Sequence, residues 1–118
     1  ITNEVSAFEM ARSQHKGVMV DFAATWCGPC YELELTFGDD DVYRELTENF
    51  IPLKFDVSKD TAEDDRVREN YGAVELPTVV LLLPDGTELV RFKDPADPDE
   101  FLERMRPAVE RIKAQRAR

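Results

Sequence analysis

Both cysteines of this 118-residue chain lie in one segment, Trp26-Cys27-Gly28-Pro29-Cys30. A short apolar run at residues 18–23 precedes the segment and predicts a buried strand, and a helix is predicted from about residue 28 to residue 37. Two thiols at this spacing, where a strand passes into a helix, can close a small reversible disulfide. The segment therefore predicts a strand, a tight connection and a helix, together with dithiol redox chemistry.

Two other uses of such a cysteine pair fit the sequence less well. A structural zinc site needs four ligands, whereas the chain offers Cys27, Cys30 and one histidine, His15. A purely structural disulfide that closes so short a loop would constrain the unfolded chain very little. We therefore expect no metal and no cofactor other than the cysteine pair itself, and we expect His15 to be a surface residue near a helix end.

Length and composition predict one domain over residues 1–118, because a chain of this size with 42% hydrophobic residues can bury a core. The longest apolar run, residues 79–83, is far too short to span a bilayer. The chain begins with Ile1 rather than methionine, so we expect either a processed product or, as we favour, a piece excised from a longer protein. A net charge of −10 argues against nucleic acid as a partner.

Charge is distributed unevenly, because residues 104–118 contain six basic residues and one acid, Glu110. Residues 107–118 are therefore predicted to form a basic helical tail. Such a tail on an acidic body could contact anionic lipid headgroups. The simpler interpretation, which we favour, is a solvated helix end whose cations suit the negative end of the helix dipole.

Apolar spacing and turn residues predict elements in the order α-β-α-α-β-α-β-β-α. Thr2 or Asn3 is expected to cap the first helix, which would bury the face that carries Val5, Phe8 and Ala11. The later helices are predicted at residues 39–50, at 60–72 and from 97 onward, and the later strands at 51–57, 78–83 and 87–92.

This alternation of helices and strands predicts an α/β fold with a central mixed sheet flanked by helices. A turn at residues 84–86 predicts that the last two strands form a hairpin. Pro107 falls inside the pattern of the last helix, so a kink or break is expected near Arg106.

Two motifs resemble a known family. Val20-Asp21-Phe22 followed by residues 26–30 matches the thioredoxin signature in sequence and spacing, and Leu76-Pro77-Thr78 matches the family's cis-proline element. With the predicted element order, the chain resembles a thioredoxin-fold protein over nearly its whole length, to about Met105. The resemblance implies a cis bond before Pro77, which would turn the backbone of residues 75–76 toward Cys27 as an edge for a partner peptide.

Within that family the chain is similar to the C-terminal periplasmic domain of the transmembrane reductase DsbD. The similarity lies in residues 30–37, Cys-Tyr-Glu-Leu-Glu-Leu-Thr-Phe, and in residues 41–46, Asp-Val-Tyr-Arg-Glu-Leu. Two positions depart from the pattern of these domains. The dipeptide Gly28-Pro29 is typical of ordinary thioredoxins, and Asp94 stands where glycine is usual, which would change the groove there.

The resemblance implies a periplasmic reductant that acts on protein thiols and disulfides. It would receive electrons from cysteines of a membrane-embedded domain and pass them to an N-terminal acceptor domain, and we expect it to be a monomer. One alternative is a free-standing thioredoxin of the cytoplasm, or a related exported reductase. A second is a non-catalytic thioredoxin-fold module that binds metal or polypeptide, against which the intact Cys27 and Cys30 argue.

The cysteines are expected to divide the chemistry between them. Cys27 precedes the helix, so its sulfur should lie near unpaired backbone N–H groups and act as the attacking thiolate. Cys30 lies one turn into the helix, should be more buried, and would resolve the mixed disulfide. Trp26 is expected to cover the edge of the disulfide, with ordinary core packing as the alternative. The expected substrate groove is lined by Trp26, Gly28, Pro29 and Leu76.

Two acids are candidates for proton and charge control. Asp21 interrupts an apolar strand, so burial should raise its pKa and suit it to proton transfer with Cys30. The structural alternative is an ion pair with Lys54. Glu34 falls four residues after Cys30 on the same helix face, and the resemblance would put it beside Asp21. Two such anions would oppose ionisation of Cys27 until a partner shields them; the alternative is a solvated glutamate.

Overall fold

The computed structural model describes residues 2–117, so the last residue of the predicted basic tail lies outside the described range. The order of elements is the predicted one, α-β-α-α-β-α-β-β-α. The helices are α1 (Glu4–Gln14), α2 (Gly28–Phe37), α3 (Asp40–Asn49), α4 (Ala62–Tyr71) and α5 (Pro98–Arg116). The strands are β1 (Gly17–Ala23), β2 (Phe50–Asp56), β3 (Thr78–Leu82) and β4 (Glu88–Phe92).

The four strands form one mixed sheet in the spatial order β2-β1-β3-β4. β1 is parallel to β2, whereas β1 with β3 and β3 with β4 are antiparallel. The two central strands, β1 and β3, are buried along their whole length, as expected when helices cover both faces of a sheet. The predicted α/β class with a central mixed sheet is confirmed.

The sheet divides the core into two clusters. Side chains alternate along β1, so Val18, Val20 and Phe22 point to one face. Met19 points to the other face, and Asp21 shares that face because it lies two residues further along the strand. Helices α1 and α4 contribute Ala7, Ala11 and Val67 to the first cluster, which also contains Cys27 and Cys30 at the start of α2. Further along α2, Leu33 lies in the second cluster with Val42 of α3 and Phe101 of α5. Asp21 therefore lies on the side of the sheet that α2 covers.

Helix ends follow the predicted capping chemistry closely. The side chains that cap α1, α3, α4 and α5 are those of Asn3, Asp39, Thr61 and Asp97. Helix α4 ends at Gly72, whose φ of 63° lies in the left-handed region that glycine tolerates. The boundary after α3 is shifted by one residue, because Phe50 has extended backbone angles and opens β2 instead of closing the helix.

The predicted buried face of α1 is partly wrong. Ala7 and Ala11 are fully buried and Phe8 is partly buried, whereas Val5 is 67% exposed. Val5 lies two residues, or about 200°, around the helix from Ala7, so it points away from the sheet when the alanines face it. The helix therefore packs through its small residues.

Helix α5 continues through Pro107, so the predicted break near Arg106 is wrong. Proline removes one backbone N–H bond to the preceding turn, but Pro107 lies on the exposed side, where water can satisfy the freed carbonyl. Buried side chains on both sides of it hold the helix against the sheet: Phe101, Met105, Ala108, Val109 and Ile112. Tertiary packing overrides the local helix breaker here.

Basic residues near the ends of α1 and α5 bind the carbonyl ends of neighbouring helices. The Arg116 guanidinium donates to the carbonyl oxygens of His15 at 2.8 Å and Glu48 at 2.9 Å. Lys16 Nζ donates to the Thr47 carbonyl oxygen at 2.8 Å. The last carbonyls of a helix lack intrahelical donors and carry the negative end of the dipole. The basic stretch is therefore folded onto the body through Arg116, and His15 is exposed as predicted.

Candidate active site

Cys27 and Cys30 are joined by a disulfide at the start of α2. Cys27 is the N-cap residue, and its Sγ accepts a hydrogen bond from the Cys30 backbone N–H at 3.2 Å. The sulfur lies where the first N–H groups of the helix lack partners and where the dipole is positive. Both features stabilise negative charge on Cys27 once the disulfide is reduced.

The two cysteines are buried almost equally, with 5% of Cys27 and 4% of Cys30 exposed. The difference in burial predicted between them is therefore very small in the disulfide form. Gly28 and Pro29, which separate them, are both exposed. Pro29 occupies the first turn of α2, where a missing N–H breaks no helical hydrogen bond. The outer surface of the site is thus formed by the central dipeptide.

Two exposed aromatic side chains flank the disulfide in sequence. Trp26 is 62% exposed, so the core-packing alternative is wrong, and its indole Nε1 donates to the Ser58 carbonyl oxygen at 3.0 Å. Tyr31 is 52% exposed, and its hydroxyl donates to the Thr25 carbonyl oxygen at 2.9 Å. Each ring therefore faces solvent while a hydrogen bond anchors its polar end.

Asp21 carries a buried carboxyl group on β1, with only 8% of the residue exposed. Burial raises its pKa from the ordinary value of 3.8 to about 6; the charge of Lys54 opposes this rise and the charge of Glu34 adds to it. The raised pKa agrees with the prediction from the sequence. A carboxyl group that titrates near neutrality can accept or release a proton under physiological conditions.

Lys54 lies opposite Asp21 in the register of β1 and β2, but its ammonium group contacts Glu34. Lys54 Nζ donates to Glu34 Oε1 at 3.0 Å, and this hydrogen bond is the main cause that raises the pKa of Lys54. Within residues 2–117 no ion pair joins Lys54 to Asp21, so the structural alternative for Asp21 is not formed. Glu34 is close enough for its charge to act on Asp21, and it is ion-paired rather than merely solvated.

The Leu76–Pro77 peptide bond is cis, which confirms the prediction. Pro77 is buried and Leu76 is partly buried, at the end of the loop that joins α4 to β3. The Thr78 hydroxyl donates to the Glu75 carbonyl oxygen within this loop. Thr78 pairs with Phe22 near the end of β1, so the cis-proline loop lies beside the connection that carries the cysteines.

Asp94, which departs from the pattern of the similar domains, is bound by a guanidinium group. Arg104 donates to its two carboxylate oxygens at 2.9 and 3.1 Å and also lies over the Phe92 ring, 4.5 Å from the ring centre. The Asp94 carboxylate is therefore held toward α5. Next to Asp94, Lys93 Nζ lies 3.8 Å from Glu75 Oε1, and this ion pair links the loop after β4 to the loop before β3.

Among residues 2–117, no group of three or more His, Cys, Asp or Glu side chains is placed to hold a metal ion. No helix in that part of the chain is both long and apolar enough to cross a membrane.

The residues that hold the redox segment from the β2 side were not predicted from the sequence. The Thr25 backbone N–H donates to Ser58 Oγ at 2.8 Å, and Ser58 is in turn bound by Asp56. One signal could have found them. If β1 and β2 are recognised as parallel neighbours, the residues that follow their carboxyl ends must meet at one edge of the sheet.

Residues 5–108 match the profile of the thioredoxin-like domain. The thiol:disulfide interchange protein DsbD of Yersinia pestis is 35% identical over 105 residues, which are 85% of this chain and 18% of that protein. The chain therefore spans about a fifth of the length of the DsbD relatives it matches.

Solved structures share the fold. The oxidised C-terminal domain of Neisseria meningitidis DsbD has a TM-score of 0.73 at 24% identity, covering 85% of this chain and 87% of that one. A thioredoxin from Thermus thermophilus has a TM-score of 0.76 at 24% identity, covering 97% of this chain and 86% of that one. The matched profile spans Cys27, Cys30 and Pro77, and the chain belongs to the thioredoxin-like domain family.

Proposed function

We propose that the chain is a thiol–disulfide oxidoreductase domain that reduces protein disulfides and relays electrons as the C-terminal domain of DsbD does. The observation that carries the proposal is the Cys27–Cys30 disulfide at the N-terminus of α2, beside a cis-proline loop. The pair is buried among apolar residues but follows the carboxyl end of β1, where a partner can reach it. The similarity to DsbD supports the direction of electron flow.

The reaction runs in two exchange steps. The Cys27 thiolate attacks one sulfur of the partner's disulfide, and the other sulfur leaves as a thiolate that takes up a proton. Cys30 then loses its proton and attacks Cys27 Sγ, which breaks the mixed disulfide. The partner has gained two electrons and two protons, and the chain returns to the Cys27–Cys30 disulfide. A dithiol donor must reduce that disulfide before the next cycle.

Asp21 is the proposed acceptor of the Cys30 proton. Its carboxyl group lies on the face of the sheet that α2 covers, and a pKa of about 6 leaves it mostly ionised at pH 7. Glu34 adds negative charge nearby and Lys54 offsets part of that charge. The balance tunes Asp21 and restrains ionisation of Cys27 before a partner binds.

A partner segment is proposed to bind across the exposed edge of the disulfide. Gly28, Pro29 and Trp26 are exposed beside the disulfide and Leu76 is partly buried, and these residues are the proposed lining of the groove. Pro77 fixes the direction of the Leu76 backbone. Main-chain hydrogen bonds to residue 76 would align an extended peptide so that its disulfide faces Cys27.

The proposed setting is the bacterial periplasm. A membrane-embedded domain with a cysteine pair would be the electron donor, and a periplasmic domain with a disulfide would be the acceptor. The similarity to DsbD, of which the chain matches 18%, and the shared fold of the C-terminal domain of Neisseria meningitidis DsbD support this assignment. The domain would then work as a monomeric unit within a larger assembly.

Trapping tests the chemistry. The Cys30→Ser variant should accumulate a mixed disulfide between Cys27 and a model protein disulfide, because the resolving thiol is absent. The matched control is the double variant Cys27→Ser/Cys30→Ser, which should form no adduct. Adduct formation by Cys27→Ser in place of Cys30→Ser would reverse the assigned roles, and the absence of any adduct would contradict the reductase function.

A second experiment tests the relay. The oxidised chain should be reduced by the cysteine pair of a DsbD membrane domain and should then reduce a DsbD N-terminal domain. Efficient reduction by NADPH and thioredoxin reductase, without reduction by the membrane domain, would contradict the relay and favour an ordinary thioredoxin.

A further inference from the structure

Two loops that follow adjacent parallel strands are joined through one serine. Ser58 lies two residues after the end of β2, and its Oγ accepts a hydrogen bond from the Thr25 backbone N–H at 2.8 Å. The Ser58 carbonyl oxygen accepts a hydrogen bond from the Trp26 indole at 3.0 Å. Thr25 and Ser58 are 33 residues apart in sequence, so this contact connects the redox segment to a separate part of the fold.

The direction of the Ser58 hydroxyl is set by Asp56. Asp56 Oδ1 accepts from the Ser58 backbone N–H at 2.9 Å and also from the Ser58 hydroxyl. A hydroxyl has one proton to donate, so donation to Asp56 leaves its lone pairs for the Thr25 N–H. The same bonds hold the pKa of Asp56 below its ordinary value, so the carboxylate is charged across the neutral range. We call this arrangement the Asp56–Ser58–Thr25 tie.

The tie acts on the two exposed rings beside the disulfide. Trp26 follows Thr25 directly and binds the Ser58 carbonyl, while the Tyr31 hydroxyl binds the Thr25 carbonyl at 2.9 Å. Neither ring is held by burial, because 62% of Trp26 and 52% of Tyr31 are exposed. Their orientation therefore depends on hydrogen bonds that converge on residues 25 and 58. Exposed aromatic rings that are already fixed lose little conformational entropy when a partner covers them.

We propose that Ser58, oriented by Asp56, is a positioning residue that holds Trp26 and Tyr31 as a preformed contact surface for the partner protein. The inference rests on the proposed function and adds to it the residues that govern partner docking. Ser58 acts through its hydrogen bonds to Thr25 and Trp26. Its loss should weaken binding of a protein disulfide and leave the exchange chemistry of Cys27 intact.

The test compares a protein disulfide with a small one. Wild type, Ser58→Ala and Ser58→Thr are assayed with insulin and with hydroxyethyl disulfide, and Ser13→Ala, at an exposed serine of α1, is the matched control. Ser58→Ala should raise the KM for insulin about fivefold at unchanged kcat, which corresponds to about 1 kcal/mol. Its rate with hydroxyethyl disulfide should equal that of wild type. Ser58→Thr, which keeps the hydroxyl, should restore the KM.

Two further measurements separate docking from a folding defect. Amide exchange at Thr25 should be faster in Ser58→Ala, while exchange in β1 stays protected. Tyr31→Phe, which keeps the ring and removes its bond to Thr25, should raise the KM for insulin about twofold to fivefold. This second variant keeps the proposal testable if Ser58→Ala does not fold.

Each outcome bears on one hypothesis. Equal losses with insulin and hydroxyethyl disulfide would overturn the positioning role, because Ser58 would then affect the sulfur chemistry. An unchanged KM in both Ser58→Ala and Tyr31→Phe would overturn it too. If the wild-type chain reduces neither substrate, the proposed function is overturned. That result comes from wild type alone, so it is distinguishable from failure of the Ser58 role, which is read from the variants.

Discussion

Replacing Asp21 with asparagine should stabilise the oxidised protein at neutral pH by an amount that depends on pH. Asp21 is 8% exposed, and among the described residues no ion pair neutralises its carboxyl group. At pH 7 the folded chain must keep a charge in a poorly solvated place, whereas the unfolded chain does not. Asparagine has a similar shape and no charge, so the variant avoids that cost.

The magnitude follows from the two pKa values. The folded pKa is about 6 and the ordinary value is 3.8, so between them the folded chain binds more protons than the unfolded chain. The stability of the wild type therefore falls as the pH rises through this window. One pKa unit corresponds to about 1.4 kcal/mol, so the full loss is about 3 kcal/mol above both values. The free energy of unfolding of Asp21→Asn minus that of wild type should therefore increase by about 2–3 kcal/mol between about pH 4 and pH 7.

Urea unfolding of the oxidised wild type and variant, at several pH values between about 4 and 8, measures this difference. Asp65→Asn, which removes an exposed carboxylate of α4, is the control. The reasoning is refuted if the difference in free energy of unfolding between Asp21→Asn and wild type is the same at both ends of the range.

Three more substitutions test particular contacts. Glu34→Gln should lower the pKa of Asp21, because it removes a nearby negative charge and releases Lys54, and NMR titration of the Asp21 carboxyl measures the change. Thr36→Val should cost about 1–3 kcal/mol in urea unfolding, because the buried hydroxyl donates at 2.6 Å to a carbonyl in the loop before α5. Gly17→Ala should cost about 1–3 kcal/mol, because its Cβ would lie 2.5 Å from a backbone oxygen of β3.

Each of these predictions has a matched comparison. Lys54→Met should shift the pKa of Asp21 upward, opposite to Glu34→Gln, and shifts of the same sign would contradict the assigned electrostatics. Thr36→Ser keeps the donor and should lose less stability than Thr36→Val. If the Gly17→Ala variant unfolds at the same midpoint urea concentration as wild type, β1 and β3 can separate at little cost.

Features that depend on local chemistry were predicted well from the sequence. The bounds of α2 agree with the prediction because proline and the Cys27 cap fix its start. The end of α4 agrees because Gly72 adopts the left-handed conformation. The site could be assigned for a similar reason, since the cysteines and Pro77 occur in short motifs whose spacing is itself informative.

Features that depend on the neighbours of a side chain were predicted poorly. Pro107 does not break α5, because buried residues on either side of it hold the helix. An ion pair of Lys54 with Asp21 was only the alternative interpretation, and the contact of Lys54 with Glu34 on α2 was not predicted. The position of Ser58 beside Thr25 depends on β1 and β2 being adjacent and parallel, which alternation along one strand does not encode.

The hydrogen bonds of Arg116 join the ends of three helices into one cooperative unit. They connect the last turn of α5 to residues that are 101 and 68 positions earlier in the chain. If that turn opens, the final carbonyls near His15 and Glu48 lose their donors together, so amide exchange at the three helix ends should be correlated. The Arg116 contacts lie beside the start of β1, whereas the disulfide follows the end of β1. We therefore expect local opening of the three helix ends to leave amide protection in α2 unchanged.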